Sequence, residues 1–117
     1  MCIGRGLIMK GIGIDIVSVS RLSDKVADKI LSKKEMAEFN SYLKTDRERA
    51  MEFLGGRLAA KEAYLKAIGV STYEGILLPD LSIYKDSTGV PKFRGIPNAR
   101  LTVSHDAGVA VAVVVIE

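Results

Sequence analysis

From Gly11 the chain alternates glycine and isoleucine and then reads Asp15-Ile16-Val17, a β-branched stretch that predicts a strand carrying one carboxylate among apolar neighbours. Leu22, Val26 and Ile30 follow at four-residue spacing behind Ser18 and Ser20, either a good cap, and predict a short amphipathic helix. Arg21, Lys25 and Lys29 recur on its other face. Two more helix starts are marked by Ser32 with Glu35 and Thr45 with Glu48, the spacing at which each side chain satisfies the other's free backbone amide. The second of these helices is expected to run from about Asp46 to Ile68, where Gly69 offers the left-handed position that ends many helices.

Beyond it, Gly75, Pro79, Gly89, Pro91, Gly95 and Pro97 punctuate short runs, Leu81 to Tyr84 and Lys92 to Arg94, which predict strands joined by turns. Arg100 to Ser104 and Val109 to Ile116 predict a closing hairpin. The fold class is therefore α+β: an N-terminal strand, three helices including one long one, then an antiparallel sheet. The last strand reads Val-Ala-Val-Ala-Val-Val-Val-Ile, so both its faces need cover, either from the chain's own helices or from another subunit, and the pattern does not choose between them.

Composition narrows the class without naming a function. Apolar residues make up 48% of the 117 and charged residues 26%, the mixture of an ordered domain with one core. A net charge of +3, with 6% aromatic residues and no recognised motif, gives no ground for nucleic-acid binding. One cysteine and one histidine leave no internal disulfide and no zinc site of the Cys/His kind, which points to the cytoplasm. Met1 to Ile8 lack the apolar run of a signal peptide and Met9 is an alternative start, so residues 1–8 are expected to be a dispensable extension and residues 9–117 a single domain. Val109 to Ile116 is about half the length of a membrane helix, so no span is expected.

Projected at 100° per residue, Met51, Leu54, Leu58, Leu65 and Ile68 form an apolar stripe on the long helix, interrupted by Lys61 and bordered by Arg57 and Glu62, with Lys66 one turn further on. Lys61 can snorkel and Glu62 can pair with Lys66 on the surface. Asp15, however, is a second carboxylate in an apolar run, where it costs several kcal/mol unless paired, protonated or metal-bound. Two such acids suggest a shared cation, and carboxylates completed by water and phosphate oxygens are the usual way to hold magnesium. Arg57, Lys61 and Lys66 would then face phosphates, and phosphoryl-type transfer is the reaction class that fits.

Other motifs fail. Ser104, His105 and Asp106 are contiguous, so alternate side chains of a strand cannot converge as a triad. Gly11-Ile-Gly13 precedes the strand it would have to follow in a dinucleotide site. Gly55-Gly56, costly within a helix, reads as close backbone packing or a bend.

The run Gly-Ile-Asp-Ile-Val at 13–17, an arginine six residues after the aspartate, and Glu-Phe-Leu-Gly-Gly-Arg-Leu-Ala-Ala-Lys-Glu-Ala-Tyr-Leu-Lys-Ala-Ile-Gly at 52–69 closely resemble the bacterial holo-acyl-carrier-protein synthases. The likeness runs from Met9 to Gly69 and continues more loosely through Leu81 to Pro91 and Val-Ser-His-Asp at 103–106. It departs at Gly69-Val-Ser-Thr-Tyr, where the family often has a Gly-Thr-Gly loop, and in a short stretch from Lys92 to Arg100.

The resemblance implies the 4′-phosphopantetheinyl transferase fold and a magnesium-dependent transfer of phosphopantetheine from coenzyme A to a serine of apo acyl carrier protein, in fatty acid biosynthesis. Asp15 and Glu62 match the metal ligands, Lys66 the lysine near the pyrophosphate, Arg57 a nucleotide-phosphate ligand, and His105 a position lining the nucleotide side of the cleft. Glu62, directly or through water, is the expected base. Arg21 is similar to an arginine that docks the acidic carrier, and Lys25 and Lys29, recurring on the same face, are expected to join it. The family's working unit, a homotrimer with sites between subunits, would also cover the apolar closing strand. The alternative from another class is a non-catalytic module that binds coenzyme A or an acidic protein.

Overall fold

The computed structural model describes residues 8–70 and 75–117. Strand β1 (Gly11–Ser18) leads through two single 3-10 turns and the one-turn helix α1 (Ala27–Ile30) to α2 (Lys33–Leu43) and α3 (Arg47–Ile68). There follow β2 (Ile83–Lys85), β3 (Pro91–Phe93), β4 (Ala99–Asp106) and β5 (Val109–Ile116). The strands form two antiparallel sheets rather than one: β1-β5-β4, and the separate pair β2-β3. The closing hairpin β4-β5 is present, and β1 pairs the far side of β5, with Asp15 opposite Ala112 and His105 opposite Ala110.

The expected first helix is broken. Leu22 and Ser23 are extended, so the four-residue spacing of Leu22, Val26 and Ile30 spans separate turns, and Ser23 rather than Ser18 or Ser20 accepts a capping bond, from Lys25 N. The capping box of Ser32 and Glu35 is formed as its spacing requires. At α3 the cap is Asp46, which accepts from Arg49 N, whereas the Thr45 hydroxyl turns back to Tyr42 O. Gly69 closes α3 at φ 79°.

Small residues bring α3 onto the inner face of the three-stranded sheet. Gly55, Gly56, Ala59, Ala60 and Ala63 are buried on the helix, against Gly13, Ala110 and Ala112 of the strands. A Cβ on Gly13 would lie 1.9 Å from Ala63 O, and one on Gly11 2.1 Å from Ala67 O, so β1 touches the helix backbone itself. On the other side of α3, Leu54 and Ala50 pack with Ile30, Leu31 and Phe39 in a second cluster. Helix α3 is thus the shared wall of two cores, which is why it buries far more than the single stripe of its sequence pattern.

The sheet's outer face has no helix over it among the described residues. Ile12, Ile14 and Ile16 are 59%, 59% and 67% exposed, and the outward valines of β5, 111, 113 and 115, stand beside them half-buried. The chain's own helices therefore cover one face of β5 only. No helix among the described residues is long and apolar enough to cross a membrane. The extension, apart from Ile8, and the segment 71–74 that holds most of the variant loop lie outside the described residues.

Candidate active site

Because β1 lies directly on α3, Asp15, which shares the inner face with Gly11 and Gly13, reaches the flank of the helix where Glu62 and Lys66 stand one turn apart. Lys66 Nζ donates to Asp15 Oδ1 at 3.0 Å and to Ile14 O at 3.1 Å. Lys66 therefore pairs with the strand instead of forming the expected surface pair with Glu62. Burial first and the Asp15 charge second push the Glu62 carboxyl above its ordinary value, and Lys66 partly offsets them. These three residues make a charged cluster open to solvent on the Lys66 side, where the lysine is exposed.

Arg57 and Lys61 are not part of that cluster. Arg57 is five residues from Glu62, about 140° round the helix axis, and both cations face α2 and the second core. Lys61 is 0% exposed: its Nζ donates to Glu35 Oε1 at 2.5 Å and to Ile30 O at 2.6 Å. Its expected role as a phosphate-facing cation is therefore corrected, since a buried ammonium already engaged by a carboxylate and a carbonyl has no reach to a substrate in the cleft. It does not snorkel either. Arg57 is 5% exposed, with Nε 3.4 Å from Glu35 Oε2 and its guanidinium 4.5 Å from the Phe53 ring centroid.

His105 is exposed on the inner face of β4, two strands over and two residues along from Asp15, about 12 Å away. Its Nδ1 lies 3.6 Å from Glu52 Oε2 near the start of α3. Arg21, Lys25 and Lys29 are all exposed but sit on three successive turns rather than one helical face. Sequence reasoning missed Glu35 and Glu52. Glu35 was visible as a capping residue, and the signal that it does more was the unpaired Lys61 in an apolar stripe, which demands a buried anion without saying which.

This fold is matched in known proteins. The 4′-phosphopantetheinyl transferase superfamily matches residues 11–114. The chain belongs to that superfamily. The curated holo-[acyl-carrier-protein] synthase of Staphylococcus aureus is 33% identical over 118 residues, covering 94% of this chain and 97% of the relative. A crystal structure of the holo-(acyl-carrier-protein) synthase of Bacillus anthracis in complex with CoA (3′,5′-ADP) superposes with a TM-score of 0.84 at 34% identity, over 95% of this chain and 98% of that one. The Helicobacter pylori enzyme in complex with coenzyme A gives 0.72 at 30% identity, over 91% and 99%. Strand β1 and helix α3, which carry the Asp15 cluster, both lie within the matched residues 11–114.

Proposed function

We propose that Asp15, Glu62 and Lys66 form the centre at which this chain moves the 4′-phosphopantetheine group of coenzyme A onto a serine of apo acyl carrier protein, releasing adenosine 3′,5′-bisphosphate. The chain is in this reading a holo-acyl-carrier-protein synthase of fatty acid biosynthesis, working in the cytoplasm. The observation that carries it is the convergence of two carboxylates and a solvent-facing lysine across the β1–α3 contact, in a member of this superfamily.

Asp15 and Glu62 fit a magnesium ion. They are hard oxygen donors, and burial, with the Asp15 charge after it, raises the Glu62 carboxyl, a penalty that a divalent cation relieves. When bound, magnesium supplies charge neutralisation at the pyrophosphate of coenzyme A. Lys66, anchored by Asp15 but exposed, places an ammonium beside the same phosphates and stabilises the charge that grows on the departing one. The carrier serine oxygen forms a bond to the phosphorus that bears pantetheine, the bond from that phosphorus to the bridging oxygen breaks, and adenosine 3′,5′-bisphosphate leaves with the electron pair. Glu62, directly or through a water, takes the serine proton.

His105 and Arg57 lie away from Asp15 within one chain, and the outer sheet face is apolar and uncovered. Both observations support a homotrimer in which that face is buried and the nucleotide lies between subunits, met by His105 and Arg57 of the neighbouring copy. The exposed Arg21, Lys25 and Lys29 suit an acidic carrier, through contacts that weaken with salt. Asp15→Ala is expected to lower turnover at least about 100-fold with an unchanged circular dichroism spectrum. Near-normal turnover would overturn the assignment, and coenzyme A binding without transfer by the unaltered chain would mark a binding module instead.

A further inference from the structure

Glu35 is the hub of a sealed ion cluster that the transfer reaction as described above does not use. The residue is 1% exposed, and its two carboxylate oxygens gather the backbone amides of Ser32 and Ile83 and the Lys61 ammonium, with Arg57 Nε facing Oε2. One anion thus faces two buried cations, leaving one positive charge in excess. Arg57 bears the imbalance: its Nε and Nη2 are sealed from solvent and have no hydrogen-bond partner among the described residues. Burial pushes both the Arg57 and the Lys61 pKa down, and Glu35 is the leading influence that holds each in its charged form.

A buried donor left unmade costs about 1–3 kcal/mol, so this guanidinium is held short of partners, and Nη1, the nitrogen not among its sealed donors, is where an outside anion would meet it. Phe53 fixes the plane of the group from one side and Glu35 fixes Nε from the other. Lys61 matters because it takes up most of the Glu35 charge, through a short bond to Oε1, and leaves Oε2 free to orient Arg57 without capturing it. Without Lys61, Glu35 would draw Arg57 into a full pair and close it to any other anion.

We infer that Glu35 and Lys61 are positioning residues that together keep the Arg57 guanidinium oriented and available for a phosphate of the nucleotide half of coenzyme A, although neither touches the substrate. This rests on the reading of Arg57 as a phosphate ligand given above. The test compares wild type with Lys61→Met, Glu35→Gln and the double variant, measuring KM and kcat for coenzyme A, 3′,5′-ADP affinity by calorimetry, and Tm. Because Glu35 is also the anion beside Arg57, both variants that remove it are expected to lose Tm, and Lys61→Met is the variant that leaves Arg57 its counter-charge. Lys61→Met is expected to raise KM about tenfold, with kcat within about threefold and 3′,5′-ADP binding weakened to match. A lowered Tm in Lys61→Met with KM and 3′,5′-ADP binding unchanged would show a structural role alone and overturn the inference. Failure of the wild-type chain to bind 3′,5′-ADP at all would instead remove the phosphate reading of Arg57, and the positioning role with it.

Discussion

Glu62 is disfavoured in its charged form by burial first and by the Asp15 carboxylate second, while Lys66 favours that form. Its folded-state pKa lies above the unfolded value, so ionisation favours unfolding: the penalty is absent well below the ordinary carboxylate range and develops as pH rises through the raised value. Glu62→Gln is therefore expected to raise the Tm of the metal-free protein near neutral pH, with the gain vanishing by about pH 4, while transfer falls at least about 100-fold. Thermal unfolding in EDTA across that range checks it, and a gain that grows toward acid pH would contradict it. At this scale the sequence was informative where a residue's chemistry conflicted with its surroundings. Asp15 stood out as a carboxylate in an apolar strand, and the structure gives it a lysine. Lys61 stood out for the same reason and was misassigned, because periodicity reports which face a side chain occupies but not which element packs there. Its partner is 26 residues earlier, and nothing local links the two.

Among the elements, the contact of β1 with α3 decides the site. Gly13 has no room for a Cβ against Ala63 O, and the obstacle is helix backbone rather than a side chain that can turn away. Gly13→Ala is expected to cost about 3 kcal/mol or more in urea unfolding and to lower transfer in whatever fraction remains folded, because separating β1 from α3 moves Asp15 from Glu62 and Lys66. A stable, fully active Gly13→Ala would mean that the approach is not required. The boundaries of α2 and α3 were readable because capping chemistry is local, as the Ser32–Glu35 box shows. The break at Leu22 and Ser23 was not, since a four-residue apolar spacing is equally met by separate turns over one core. Nor did the glycines of Gly11-Ile-Gly13 announce their purpose: with isoleucine between them they look like strand residues, and only the helix above explains them.

For the whole molecule, the three isoleucines of β1 and the outward valines of β5 make an apolar face that the chain's helices leave bare. The uniformly apolar β5 signalled that both faces needed cover, and the described fold removes one of the two ways of supplying it. Ile14→Lys places a charge at the centre of that face. On the proposed homotrimer, it is expected to convert the assembly to monomers in sedimentation velocity, with the circular dichroism spectrum retained and transfer lost, since the proposed sites lie between subunits. A monomeric wild type of full activity would contradict the shared-site reading. Apo acyl carrier protein incubated with this protein, coenzyme A and magnesium, and weighed by mass spectrometry beside an EDTA control, tests the central claim most directly. A gain in mass of one phosphopantetheine on the carrier serine, prevented by EDTA, is the expected result; an unmodified carrier, with coenzyme A bound to the protein but intact, would contradict it.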